Sequence, residues 1–487
     1  MMTARASSVN AEGSVGAIQP GPGAVRIDLL RRRRARSAKG DRRSQKAGVL
    51  HLIPVAVRSD NALEAEIATR YRTVSMVSEN LSLFATPSKE KAALLRTRKP
   101  LKELGLFAGI GGFELGLKRS GHRTRMLCEI WEPAVAVLER GLRRVELVRD
   151  VKMLADDPRL IPEDVNLVTA GFPCTDLSQA GMTAGIDGTN SGLVHQVFRI
   201  LRARRAPWAI IENVPFMLQL GKGKAMGVIV DELEALGYQW AYRVVDSRAF
   251  GVPQRRRRVF LVAALEHDPR DVLLSEDAGE LPDPPKEAWR AAACGFYWTE
   301  GVRGLGWAYN AVPTLKGGST VGIPSAPAVA MPDGRIVIPT ITDAERMQGF
   351  EANWTAVAES VSRRGYRWKL VGNAVTVHVA AWLGERLVRP IKYDPAGDYP
   401  LPARRPWPLA AYNVDGTRWV ADVSEWPTRA PRVPLAEFLA ASRVELLSAR
   451  ATRGFLGRAT SDECTLAFPP GFLRFVEQHL QRVEKSA

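Results

Sequence analysis

Leu104-Gly-Leu-Phe-Ala-Gly-Ile-Gly-Gly-Phe113 begins as an apolar run and ends as a glycine turn, and an amphipathic stretch follows over 113–119. The first half has the length and composition of a buried strand, and the continuation has the period of a helix. A strand that passes into a helix through glycines presents backbone N–H groups at its carboxyl edge, where a ligand can approach them. A Cβ there would block the approach or forbid the turn. Alone, the turn also reads as tight packing between strand and helix. It is not followed by Gly-Lys-Ser/Thr, which disfavours a nucleotide triphosphate as ligand.

The same alternation continues along the chain. Short apolar runs at 104–108, 125–129, 166–171, 207–212 and 258–264 alternate with amphipathic stretches at 113–119, 133–143, 193–203 and 224–236. This pattern predicts an α/β fold, a doubly wound, Rossmann-like parallel sheet. Regularity fails over 265–339, where Pro282, Pro284, Pro285 and glycines such as Gly301, Gly304 and Gly306 predict a loop-rich insert. Helical patterning resumes at 342–348 and 373–388. Six prolines between Pro390 and Pro408 then predict a linker to a last module, 405–487, with an amphipathic helix from Phe472 to Val483. Trp407, Trp419 and Trp426 read as packing a small core in that module, with an added DNA- or partner-contacting unit as the alternative.

A chain of 487 residues exceeds what one core usually supports, so two or three folding units are expected. The net charge is +16, and most of it sits in residues 1–100, with 19 basic and 8 acidic side chains. Within them, Arg31 to Lys46 holds nine basic residues against Asp41. Such a run attracts phosphates without reading bases. A solvated disordered arm and an acid-poor transit peptide are the other readings. Residues 1–47 show no hydrophobic period and are expected to be disordered. No uninterrupted apolar run approaches the roughly 18 residues of a membrane span, so no membrane partner is expected. Cys128, Cys174, Cys294 and Cys464 lie far apart, with no Cys-x-x-Cys and no nearby His pair. That argues against a zinc site and against a disulfide framework.

Further blocks follow the glycine turn. They are Gly171-Phe-Pro-Cys174, Ile210-Ile-Glu-Asn-Val214, Gln254-Arg-Arg-Arg-Arg258, Gln348-Gly-Phe350 and Gly372-Asn-Ala-Val375. In this order they resemble the DNA cytosine-5 methyltransferases of bacterial restriction–modification type, over about residues 104 to 388. The resemblance implies S-adenosylmethionine as cofactor, bound by Phe107, Ala108, Gly109, Gly111, Gly112, Glu129, Ile130, Asp150, Val151, Leu193 and Asn373. Glu129 is expected to take the ribose hydroxyls and Asp150 the adenine amino group. An aromatic side chain often follows the first acid in this family and stacks on adenine. Here Ile130 stands in that place and Trp131 comes next. Ser191-Gly-Leu193 resembles a block that closes over the methionine part of the cofactor.

C5 of cytosine is not nucleophilic until a thiolate adds at C6. The resemblance implies Cys174 as that nucleophile, ionised by nearby positive charge from Arg256 and Arg258. Glu212 is expected to hydrogen-bond the base at N3, with burial raising its pKa, and Asn213 to fix the adjoining loop. The bland readings are a buried structural cysteine and a capping acid after a strand. The target base must leave the stack. Thr175 to Asn190, with Gly181, Gly185 and Gly188, reads as a loop that closes over it or as a plain surface loop, and Ser178 resembles a phosphate-touching position.

In the resembling family the insert, here 265–339, reads the recognition sequence, and 311–320 resembles its recognition loop. The insert carries 6 basic and 10 acidic residues. Phosphate contacts are therefore expected from Arg255 to Arg258, Arg363, Arg364, Arg367 and Lys369. The expected domains are a basic, largely disordered extension (1–99), the catalytic domain (100–264 and 340–390) around the insert, and a Pro-rich linker with a C-terminal module (391–487). The whole reads as a metal-free enzyme that methylates double-stranded DNA, acting as a monomer in the bacterial cytoplasm, at the nucleoid, alongside a restriction endonuclease. A tRNA cytosine-5 methyltransferase and an inactive regulatory family member are the alternatives. The insert argues against the first, and intact Cys174 and Glu212 argue against the second.

Overall fold

A computed structural model of the chain describes residues 95–173, 192–282, 284–317, 324–402 and 406–486. The basic run, Cys174, Ser178, the rest of 175–190, Ser191 and residues 318–323 lie outside the described residues.

The first strands are β1 (Lys102–Leu106), β2 (Arg123–Cys128), β3 (Glu146–Val148), β4 (Leu167–Ala170), β5 (Trp208–Asn213), β6 (Gln239–Asp246), β7 (Gln254–Arg255) and β8 (Arg257–Ala264). β3, β2, β1, β4 and β5 lie side by side and parallel. Beyond β5 the sheet changes character, because β8 runs antiparallel to both β5 and β6. The sheet is therefore mixed, where the sequence pattern predicts a parallel one. The reason is connection length: the link 247–256 is too short for the crossover helix that parallel neighbours require.

β6 itself escapes the sequence reading because Arg243 interrupts its apolar run. In the fold this arginine is fully buried. Its Nε donates to the Ser424 carbonyl at 2.6 Å, one Nη to the Glu276 carbonyl at 2.7 Å, and the other pairs with Asp277 at 2.7 Å. A buried guanidinium is tolerable only with its donors used in this way.

The later strands are β9 (Cys294–Phe296), β10 (Trp307–Tyr309), β11 (Val312–Pro313), β12 (Ala328–Ala330), β13 (Ile336–Ile338), β14 (Tyr399–Pro400), β15 (Ala410–Val414), β16 (Thr417–Val420) and β17 (Glu445–Leu446). A second sheet runs β10-β9-β12-β13-β17, while β15 pairs with β6 and carries β16 and β14 onto the edge of the main sheet. The segment after residue 391 thus adds strands to both sheets. The small core expected from its tryptophans does not form. Trp407 packs edge-on against Trp240 and Tyr242 of β6, and Trp426 is buried under Arg248. The helices Ala449–Ala459 and Phe472–Lys485 instead bring Phe455 and Phe472 onto Phe296 of the insert. Strands of two or three residues bury little by themselves, and this aromatic cluster supplies the core they lack. Among the described residues, no helix is long and apolar enough to cross a membrane.

One packing event positions the site. Gly112 and Gly116 stand one turn apart on the helix Gly112–Lys118. A Cβ on Gly116 would collide with Ala380, and one on Gly112 with the Val375 carbonyl. Their absence lets the helix Val377–Val388 lie directly on this one and brings Val375 onto Gly112, at the start of the helix that follows β1.

Candidate active site

The loop after β1 climbs through left-handed backbone at Phe107 (φ 55°), Gly109 (φ 57°) and Gly111 (φ 87°) before the helix begins. At Phe107, a residue with a side chain, that conformation costs of order 1–3 kcal/mol. Tertiary bonds hold it: the Ala108 N–H donates to the Cys128 carbonyl at 3.1 Å, and the Phe107 ring meets Phe172 edge-on at 6.4 Å. The Cβ position of Gly109 has no atom within 4 Å, so this glycine faces open space, as a cofactor cup requires.

Glu129, just past β2, sits against that turn. One carboxylate oxygen accepts the Gly109 N–H at 2.8 Å and the other the Trp131 N–H at 2.8 Å. Burial pushes its pKa up, and the N–H groups of Trp131, Gly109 and Ile130 and the charge of Arg149 oppose the rise. A carboxylate with two acceptor sites still open can take a pair of ribose hydroxyls. Ile130 is 69% exposed, an apolar side chain in water where an adenine face would cover it. Trp131 is turned away, packed edge-on against Tyr366 with Lys369 over its ring. Asp150 caps the helix Val151–Asp156 through one oxygen, which accepts the Lys152 N–H at 2.9 Å. Val151 is buried behind it, Leu193 begins the helix Leu193–Arg204, and Asn373 ends the helix Tyr366–Asn373 with its side chain exposed. The residues around Gly109 therefore fit the cofactor: hydroxyl acceptors, an apolar platform and room. At Gly112 the place a Cβ would take is filled by Val375, so the packing there also requires a glycine.

Beneath the turn lies a group the sequence reading missed. Glu103 and Glu114 are both buried. Glu103 accepts the hydroxyls of Thr124 at 2.8 Å and Thr169 at 2.9 Å. Among the described residues no other side chain donates to Glu114, and its carboxyl occupies the place a Cβ on Gly105 would need. Burial and the neighbouring Glu103 push Glu114 well above the usual carboxylate range, and burial lifts Glu103 to about 7. The two acids hold at least one proton near neutral pH. The signal was present in Lys-Glu-Leu-Gly-Leu106, where a charged residue alternates with apolar ones inside a central strand.

At the ends of β4 and β5 the second half of the site is assembled. Glu212 is 7% exposed, and the Arg258 Nε lies 3.0 Å from its Oε1. The two groups form an ion pair. Burial pushes the Glu212 pKa up, and the charges of Arg258 and Arg256 work against it. Its other oxygen faces Gly171, 3.6 Å from where a Cβ would stand. Asn213 ties the same loop down: its Nδ2 donates to the Phe172 carbonyl at 3.1 Å and its Oδ1 accepts the Val214 N–H at 2.9 Å. Cys174, directly after Pro173, lies outside the described residues.

The arginines divide differently from expectation. Arg256 is fully buried and its Nη atoms donate to the carbonyls of Gly372, at 3.0 Å, and Ala374, at 2.7 Å, so it clamps the Asn373 turn. Arg257 forms an ion pair with Glu425. Arg367 is buried with Glu345 and Glu359. Arg256 and Arg367 are thus taken up inside the fold, Arg257, Arg258 and Lys369 are half-buried, and Arg255, Arg363 and Arg364 are exposed. Gln254 holds the front of the insert, accepting the Leu315 N–H at 3.0 Å, while Thr314 donates to the Arg255 carbonyl at 2.8 Å.

Residues 101–290 match a family model described as C-5 cytosine-specific DNA methylase. Over 375 residues the chain is 46% identical to the type II methyltransferase M2.BsuMI of Bacillus subtilis (strain 168), covering 75% of this chain and 94% of that one. The type II methyltransferase M.BsuFI of Bacillus subtilis is 26% identical over 368 residues, covering 69% of this chain and 85% of that one. M.NlaX of Neisseria lactamica is 34% identical over 171 residues, covering 34% of this chain and 53% of that one. With a near full-length relative at that identity, the chain belongs to the C-5 cytosine-specific DNA methylases, enzymes whose methyl donor is S-adenosylmethionine.

Proposed function

We propose that this DNA methyltransferase modifies one cytosine within a specific duplex sequence, as a monomer in the bacterial cytoplasm, and protects host DNA from a partner restriction endonuclease. When bound, the cofactor supplies an electrophilic methyl group. The Cys174 thiolate adds to C6 of the extruded base, and the C5–C6 π pair moves away from the new S–C6 bond. Glu212 shares its proton with N3 and so stabilises the negative charge that would otherwise build on the ring. After C5 has gained the methyl group, water removes the C5 proton. The electrons of that C–H bond restore the C5–C6 double bond and expel the sulfur.

The observation that carries this reading is the position of Glu212: buried, raised in pKa, and facing Gly171 three residues before Cys174. A carboxyl raised in this way parts with its proton less readily to water and is better suited to share it with N3. The decisive test is expression in a host without cytosine methylation, followed by bisulfite sequencing of genomic DNA and of tRNA. Methylcytosine confined to one short duplex motif is expected. Methylation of tRNA alone, or of DNA without regard to sequence, would overturn the reading.

A further inference from the structure

The front of the insert holds a charged pair that neither the fold nor the methyl transfer requires. The Lys316 Nζ lies 3.1 Å from the Glu300 Oε2 and 4.0 Å from the centre of the Tyr297 ring. The other oxygen of Glu300 accepts the Ser325 hydroxyl at 3.0 Å, and that hydroxyl lies 2.6 Å from the Thr299 Oγ1. Tyr297 is tethered in turn, its hydroxyl donating to the Thr314 carbonyl. The backbone at Lys316 and Gly317 presses against Gly372 and Lys369, leaving no room for a Cβ at Gly372. The pair is thus held from several sides while its side chains remain 37% and 26% exposed.

Its location joins it to the reacting end. The Tyr297 hydroxyl lies within electrostatic reach of Arg258 and Arg256, the guanidinium groups beside Glu212. Arg256 and Lys316 meet the same turn, the first through the Gly372 carbonyl. The pair therefore adjoins the Arg256 and Glu212 end of the site, on the face where base pairs next to an extruded cytosine would be read.

Charge argues about what is bound. A surface ion pair is worth about 0–1 kcal/mol to stability, too little to explain so many supports. A phosphate gains nothing from a lysine already neutralised by a carboxylate, which would repel it. A G·C pair in the major groove suits both charges together. Guanine offers O6 and N7 as acceptors and cytosine offers the N4 amino group as donor. O6 and N4 are hydrogen-bonded to each other, about 2.9 Å apart, close to the spacing of the two charges. The ion pair can lie across that edge without being broken.

We infer that Lys316 and Glu300 act as one unit that reads a single G·C pair flanking the target cytosine, in one orientation, with the ammonium on guanine and the carboxylate on cytosine. This rests on the DNA methyltransferase reading above. The A·T and C·G pairs offer donor before acceptor; a T·A pair offers O4 and N6 in the same order as O6 and N4, but places its thymine methyl on the side where guanine gives the ammonium a second acceptor, N7.

The test compares full-length wild type, Lys316→Met, Glu300→Gln and Lys316→Arg on a duplex library randomised around the methylated cytosine, read by bisulfite sequencing. In the wild type one flanking position should demand guanine. Lys316→Met and Glu300→Gln should both relax that same position, by roughly tenfold or more, with the rest of the motif and the calorimetric affinity for the cofactor unchanged. Lys316→Arg should keep the guanine preference. An unchanged motif with uniformly lower activity would overturn the inference, because it would make the pair structural or a backbone contact. Relaxation of two different positions would overturn it as well. A wild-type enzyme that methylates no duplex would instead refute the functional reading beneath it, and the two failures are distinguishable.

Discussion

Asn213→Ala removes the bonds that connect the end of β5 to the loop before Cys174 and leaves every group around Gly109 in place. The Phe172 carbonyl belongs to a residue 3% exposed, so losing its donor leaves a buried acceptor unpaired, at about 1–3 kcal/mol. The Val214 N–H, also released, sits in a half-buried stretch where water reaches it, and adds about 0.5–1 kcal/mol. Together the anchored loop loses roughly 1.5–4 kcal/mol against its loosened forms. Each 1.4 kcal/mol is about a factor of ten, so turnover should fall by roughly ten- to several hundredfold if attack at C6 needs Phe172 and Pro173 where they stand. The assay is single-turnover methylation of duplex DNA at saturating cofactor, with cofactor affinity measured by calorimetry. Affinity should stay at the wild-type value, because Glu129, Asp150 and the glycine turn are untouched. Turnover within about threefold of wild type in a folded variant would refute the tether. Equal losses in turnover and in cofactor affinity would also refute it, since they would mean the two halves of the site are not separately held.

Glu129→Ala should weaken S-adenosylmethionine binding by about 1.5–3 kcal/mol, because it removes a charged hydrogen-bonding group and the acceptor that holds the Gly109 N–H; calorimetry showing unchanged affinity would mean the acid does not reach the ribose. Glu114→Gln should make stability less dependent on pH. Glu103 and Glu114 bind protons more tightly folded than unfolded, so their contribution is full below the ordinary value of 4.5 and is lost as pH rises through the folded values, about 7 for Glu103 and high for Glu114. Between about pH 5 and pH 8 the urea midpoint of the wild type should therefore fall relative to that of the variant, and parallel curves would contradict a shared buried proton. Arg256→Met should loosen the Asn373 turn by stranding the Gly372 carbonyl and leaving that of Ala374 only the 3.4 Å bond from Gln348, lowering stability by about 1–3 kcal/mol in chemical denaturation; a loss below about 0.5 kcal/mol would mean that the clamp is dispensable.

The parts of the site that were legible in the sequence are those where backbone geometry forces a residue type. Gly109 faces open space in left-handed backbone, and Glu129 and Glu212 end strands beside glycine-bearing loops, so their neighbours announce them. The groups that stayed hidden serve distant parts of the chain. Arg256 looks like one more basic residue in a basic run, and only the fold brings the carbonyls of Gly372 and Ala374 to it. Arg243 disguised a central strand because the partners that make its burial tolerable, Asp277 and Ser424, lie far along the chain. The strands after residue 391 went unseen for a related reason. Ala410 to Val414 is too short to show a period, and its pairing is fixed by β6, not by its own composition.

The central claim is that a thiolate in the loop after Phe172 and Pro173 attacks a cytosine seated against Glu212, and trapping that adduct tests it most directly. Full-length enzyme incubated with S-adenosylmethionine and duplex DNA carrying 5-fluorocytosine at the methylated position should form a denaturation-resistant complex, because fluorine cannot leave as a proton does and elimination of the sulfur stops. Mass spectrometry of the digested complex should place the modified base on Cys174, and Cys174→Ser should give no complex. A complex formed by Cys174→Ser, or a modified base attached to any other residue, would contradict the account.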